Sequence, residues 1–248
     1  MTDRVYPFVV VLIRAFWRYL GLKFTIKGEE QIPRSGGAIM AINHIGYLDF
    51  ALSGTAALPA KRYVRYMAKK QIFDNKIAGP LMRGMHHISV DRDSGSASFV
   101  AALRALKAGE IVGIFPEATI SKSFEIKSLK SGAARLAIGA NVPVLPTIVW
   151  GSQRIWTKGR SRDFSRKKVP ISVYIGEPLR LTREIEVEVA EAQIKSALEL
   201  LLRKVQDEYP DEHRGQWWAP ARLGGTAAER TTDRAAQTHR GTPAKNAT

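Results

Sequence analysis

The chain of 248 residues contains no cysteine. Disulfides, thiolate metal sites and a cysteine nucleophile are thereby excluded, so no acyl intermediate can form on a thiol. Histidine is scarce, at five residues, and His86 and His87 are adjacent, which disfavours their convergence on one metal ion. No metal site is expected. Long apolar runs are also missing: the stretch from Val5 to Ile13 is cut by Arg14 and Arg18, well short of the roughly 20 residues a spanning helix needs. The same stretch lacks the small-residue cleavage site of a secretory signal, so a position on the cytoplasmic side is expected. Acidic residues are outnumbered, 38 Lys and Arg facing 23 Asp and Glu for a formal charge of +15. Such a surface attracts anionic lipid, phosphorylated ligands or nucleic acid. No groove-reading or stacking motif accompanies the charge, so no specific nucleic-acid partner is expected.

What is present has the composition of a globular protein, 45% hydrophobic and 25% charged, enough for one sizeable core. Between Pro7 and Leu22, Phe8, Leu12, Phe16, Trp17 and Leu20 alternate with Arg14 and Arg18. The pattern suits a helix lying in a membrane interface or an ordinary helix packed on the core. Short β-rich runs follow at 24–27, 37–42, 87–90, 111–115, 144–149 and 171–175, with helical patterns at 96–107 and 133–139 between them. That alternation predicts an α/β sheet with helical crossovers. Residues 184–209 read as a long amphipathic helix, with Ile194, Leu198, Leu201 and Val205 on one face. The expected division is a membrane-associating helix over 1–23, the main domain over 24–210 and an extension over 211–248, disordered from about Gly224. Trp217 and Trp218 either dock that extension on the domain or sit at a membrane surface.

Two stretches can carry chemistry. In Asn43-His-Ile-Gly-Tyr-Leu-Asp49 the imidazole and carboxylate are five positions apart. A strand would send them to opposite faces, and a continuous helix would rotate them about 140° apart. Only a strand-to-helix turn, with Gly46 to ease it, brings them together. There Asp49 would fix the tautomer of His44 and leave the other ring nitrogen free to take a proton from a hydroxyl. In the second stretch, Phe115-Pro-Glu117-Ala-Thr119-Ile-Ser-Lys122, an apolar strand ends in a carboxylate, hydroxyls and a cation, at the strand end where α/β folds place ligands.

Together these stretches resemble the phospholipid/glycerol acyltransferase family. Asn43-His44 through Asp49 looks like its Asn-His-x4-Asp block, Ile88-Ser-Val-Asp-Arg92 like its second, Phe115–Thr119 like its Phe-Pro-Glu-Gly-Thr-Arg block, and Val142-Pro-Val-Leu-Pro146 like its fourth. Met67-Ala-Lys-Lys70 and the run from Leu129 and Lys130 to Ala137 extend the likeness over about 35–150. The resemblance implies one domain with a mixed, largely parallel sheet flanked by helices. It also implies direct transfer of a fatty acyl group from acyl-CoA or acyl carrier protein, as co-substrate, to a hydroxyl of 1-acyl-glycerol 3-phosphate. On this reading His44 is the base and Asp49 its orienter. Glu117 and Thr119 address the glycerol, while Arg92 and Lys70 meet the phosphate. No cofactor is implied. The expected partners are membrane lipids and the lysophospholipid acceptor, with the enzyme peripheral or monotopic on the cytoplasmic face of the cell membrane.

Two positions depart from the pattern. Ala118 and Ile120 stand where the family usually has Gly and Arg, so Lys122, Lys130 or Arg92 would have to supply the missing cation, or the acceptor differs. Glycerol 3-phosphate, a lysophospholipid and a glycolipid hydroxyl are the alternative acceptors. A non-catalytic membrane-binding relic would have lost His44 or Asp49, and both are retained. Basic residues gather at Lys61, Arg62, Arg65, Lys69, Lys70 and Lys76 and at Arg154, Lys158, Arg160, Arg162, Arg166, Lys167 and Lys168. One cluster is expected to face the membrane.

Overall fold

The computed structural model describes residues 3–91 and 95–228. Seven strands form one sheet: β1 (Lys23–Lys27), β2 (Ala38–Ile42), β3 (Val64–Lys69), β4 (Ile88–Val90), β5 (Ile111–Ile114), β6 (Val144–Trp150) and β7 (Pro170–Ile175). Their order is β1-β7-β6-β2-β5-β3-β4, and every pairing is parallel except β6 with β7. This is the mixed, largely parallel sheet expected. The helices are α1 (Val5–Leu20), α2 (Asp49–Thr55), α3 (Lys70–Phe73), α4 (Ala78–Gly84), α5 (Gly95–Lys107), α6 (Gly132–Ala140) and α7 (Val187–Asp207).

β2 and β6 lie in the interior of the sheet, and every residue of both is buried. Both faces of such strands are covered, which is why they read as unbroken apolar runs. Ile39 and Ala41 face the layer of α5, α6 and α7, whereas Ala38, Met40 and Ile42 face the layer of α1 and α2. On α7 the buried stripe is Ala190, Ile194, Leu198, Leu202 and Val205, with Leu201 only half-buried beside it.

α1 has two apolar faces. Tyr6, Trp17 and Leu20 are buried, and the Tyr6 hydroxyl donates to Val64 O at 3.0 Å. On the outer side Phe8, Val11, Leu12 and Tyr19 are each more than half exposed. Among the described residues no helix is long and apolar enough to cross a membrane.

β3 was not foreseen, because Arg65 interrupts its apolar pattern. That guanidinium is buried, bonded to Asp3 at 2.8 Å, to Glu110 and to Met85 O. Arg62 likewise turns inward, donating to the carbonyls of Pro33, Gly36 and Gly109. Two members of the first basic cluster therefore hold the fold together.

Beyond α7 the chain folds back over the domain. Trp218 and Ala219 are buried, and the segment closes on itself through Gly215 N to Gly224 O, Thr226 N to Gln216 O and Ala227 N to Ala219 O. Residues 224–228 thus belong to this packed turn. The rest of the tail, 229–248, lies outside the described residues.

Candidate active site

β2 delivers His44. Just past its end, the Asn43 amide donates to Val149 O at 3.0 Å and accepts from Val149 N at 2.7 Å, fastening the strand end to β6. The chain then turns sharply into α2. Asp49, fully buried, closes the turn: its Oδ2 accepts from Ile45 N and Gly46 N, both at 2.8 Å, and lies 3.0 Å from His44 Nδ1. Its Oδ1 accepts the Ser152 hydroxyl at 2.5 Å. Four hydrogen-bonding partners compensate the burial of this charge.

Gly46 is required here for closeness. Its φ is not in the left-handed region, but a Cβ at this position would lie 2.8 Å from Ser152 Oγ and 3.1 Å from Trp156 O. The imidazole of His44 rests 4.3 Å from the Phe115 ring, with 21% of its side chain exposed. With Nδ1 committed to Asp49, Nε2 is the ring nitrogen that this pair leaves over.

The second stretch meets the first at this point. Glu117 is buried, its Oε1 accepting His44 N at 2.9 Å and its Oε2 accepting Lys127 N at 3.0 Å. Burial pushes its carboxyl up to about 7, against the opposing pull of those two N–H donors. Ser121 N donates to His44 O at 2.7 Å. Ala118 sits at φ +59°, a left-handed conformation that favours glycine. The Thr119 hydroxyl accepts from Lys127 Nζ at 2.5 Å. Ile120 is buried, with 8% exposed.

The structure thus brings His44, Asp49, Glu117 and Thr119 together. Lys70 opens α3 and pairs with Asp91 at 3.2 Å. Lys122 and Lys130 are exposed on the second loop, and Lys130 N donates to Pro116 O. Arg92 lies outside the described residues. Three further residues were not singled out from sequence: Lys127, Ser152 and Thr157, whose hydroxyl donates to Ile45 O at 2.6 Å.

The acyltransferase family model matches residues 23–150. The chain belongs to this acyltransferase family. The 1-acyl-sn-glycerol-3-phosphate acyltransferase of Bacillus subtilis is 33% identical over 158 residues, covering 62% of this chain and 72% of that one. A protein of the same name from Limnanthes douglasii is 30% identical over 173 residues, covering 66% of this chain and 56% of its own. The crystal structure of the 1-acyl-sn-glycerophosphate (LPA) acyltransferase PlsC from Thermotoga maritima shares the fold. Its TM-score is 0.64 at 21% identity, covering 85% of this chain and 86% of that one.

Proposed function

We propose that this acyltransferase moves a fatty acyl group from a thioester donor, acyl-CoA or acyl carrier protein, to the free hydroxyl of 1-acyl-glycerol 3-phosphate. The observation that carries the reading is the His44–Asp49 pair at 3.0 Å with Nε2 left over, in a chain whose relatives bear that activity in their names. His44 Nε2 takes the hydroxyl proton as the oxygen attacks the thioester carbonyl. The C–S bond then breaks, and the proton passes from the imidazolium to the leaving thiolate. Asp49 holds the ring and offsets its transient charge, and base catalysis of this kind contributes about 10²- to 10⁴-fold. Thr119 and Glu117 address the glycerol, while Arg92, Lys70, Lys122 and Lys130 serve the phosphate.

The exposed strip of α1, Phe8, Val11, Leu12 and Tyr19 beside Arg14 and Arg18, supports docking in the interface of the cell membrane, on its cytoplasmic face. An apolar cleft lined by Val9, Val10, Ile13, Phe50, Leu58 and Tyr66 opens beneath that helix. Tyr66 stacks 6.4 Å from Phe115, the ring on which His44 rests.

A second reading, the same chemistry on glycerol 3-phosphate or another acceptor, draws on Ile120, where a buried apolar side chain stands in place of the family's Arg. Release of thiol from palmitoyl- and oleoyl-CoA decides between them, free of protein background because the chain has no cysteine. Release that requires both 1-acyl-glycerol 3-phosphate and His44 is the expected result. Turnover only with glycerol 3-phosphate would favour the second reading, and release indifferent to His44→Ala would remove the proposed base.

A further inference from the structure

The family match ends at Trp150, but the bonds that hold the buried carboxylate extend past it. Asp49 Oδ1 is held by Ser152, which is itself fully buried. The turn around Ser152 is fixed from outside. Gln153 accepts from Gly151 N at 2.9 Å and donates to Trp218 O at 3.1 Å. Arg154 donates to the Tyr209 hydroxyl at 2.9 Å and to Asp211 at 2.5 Å, with its guanidinium 4.5 Å above the Trp218 ring. Further along the same loop, Trp156 O accepts Tyr47 N at 3.0 Å and Thr157 reaches Ile45 O. Both contacts land inside the turn that carries His44 and Asp49.

The loop on the other side of the site is held by the same segment. Ser121, bonded to His44 O, donates through its hydroxyl to Glu125 O at 2.8 Å. The Glu125 carboxylate accepts Arg222 Nε at 2.8 Å, and Phe124 meets Trp217 edge-on at 6.5 Å. Gly225 lets the segment close, since a Cβ there would lie 2.1 Å from Ala219 O.

We propose that residues 209–227 are a clamp that positions the His44–Asp49 pair by holding both flanking loops, with Ser152 the positioning residue through which the clamp reaches Asp49. The inference rests on the catalytic reading of that pair. Asp49 Oδ2 is held by His44 Nδ1, Ile45 N and Gly46 N, and Oδ1 by Ser152, so without Ser152 the plane of the carboxylate could still pivot about Oδ2. Ser152 removes that freedom, and small misplacements of a reacting group are costly, up to about 10²-fold.

The test uses the full chain and three variants: Ser152→Ala, Asp211→Asn and Arg222→Ala. Asp211 and Arg222 are partly exposed and touch neither His44 nor Asp49, and a circular dichroism spectrum checks that each variant is folded. Two readouts are taken together: kcat against KM in the thiol-release assay, and the Nδ1–H proton resonance of His44 in ¹⁵N-histidine-labelled protein. Ser152→Ala is expected to lower kcat about 10- to 100-fold with KM for donor and acceptor within about twofold, and to shift the resonance. The two clamp variants are expected to lower kcat about threefold to tenfold and move the resonance in the same direction. An unmoved resonance in all three overturns the clamp, whatever happens to the rate, because a merely structural role changes the folded fraction and not this signal. Should the wild type show no acceptor-dependent release, the catalytic reading fails while the resonance still decides whether the clamp positions the pair.

Discussion

The turn carrying His44 and Asp49 and the cationic rim around it are held by opposite means. The turn is tied by buried and part-buried hydrogen bonds: Asp49 has four hydrogen-bonding partners, and Glu117 ties the His44 backbone to Lys127. On the rim, Lys122 and Lys130 are exposed, and Lys70 meets Asp91 with 55% of its side chain in solvent. On the proposed mechanism His44 is a base, which must be oriented before the substrate arrives, and its surroundings are fixed in advance. A cation that attracts a phosphate can act from several places. On the proposed roles, position 120 can carry Ile in place of the family's Arg while the turn keeps each of its groups.

The comparison is broken most directly by removing the base. His44→Ala is expected to lower kcat about 10²- to 10⁴-fold with an unchanged circular dichroism spectrum. A loss below tenfold would mean that the fixed turn is structural and the chemistry lies elsewhere.

Glu117 tests how rigidly the turn is held, through pH. Its carboxyl stands at about 7 in the folded protein because of burial, compared with an ordinary 4.5. The folded state therefore holds that proton more tightly than the unfolded chain does. Its contribution to stability is complete below about pH 4.5, is lost as pH rises to about 7, and is constant beyond. Relative to Glu117→Gln, which cannot ionise, wild-type stability should fall by on the order of 3 kcal/mol across that window. Urea midpoints at pH 5 and pH 7.5 measure it. A wild-type stability that rises with pH relative to Glu117→Gln would show the two N–H donors outweighing burial.

The rim should yield less. Lys122→Ala combined with Lys130→Ala is expected to raise KM for the acceptor about threefold to tenfold with kcat nearly constant. Stronger salt dependence in the wild type than in the variant would accompany it. A fall in kcat alone would place these cations among the groups that orient the base.

Much of this was legible in the sequence, for reasons that differ by residue. β2, β5 and β6 announce themselves because burial on both faces leaves unbroken apolar runs. The His44–Asp49 pair is legible because only one local geometry lets a five-residue spacing close. β3 was hidden by Arg65, whose burial depends on Asp3 and Glu110, residues distant in sequence. Ser152 and Lys127 were hidden for a similar reason. A serine after a strand and a lysine in a loop look like solvated turn residues until the fold sets them against Asp49 and Thr119. Gly46 was noticed for its flexibility, but its value lies in the space its missing Cβ leaves for Ser152.

The smallest effect concerns Ala118, a departure from the family pattern whose backbone conformation favours the glycine it replaces. Ala118 occupies φ +59°, where a side chain costs about 1–2 kcal/mol that glycine does not pay. Replacing it by glycine also frees the unfolded chain, which returns about 0.4–1 kcal/mol of that gain. Ala118 is exposed and no side-chain contact is lost. Ala118→Gly should therefore stabilise the protein by roughly 0.5 kcal/mol, read as a small rise in the urea midpoint at constant slope, with kcat unchanged. A destabilised variant would mean that the methyl group stiffens the Glu117 loop by more than its strain costs, and a lowered kcat would show that this stiffness reaches His44 through the Glu117 carboxylate.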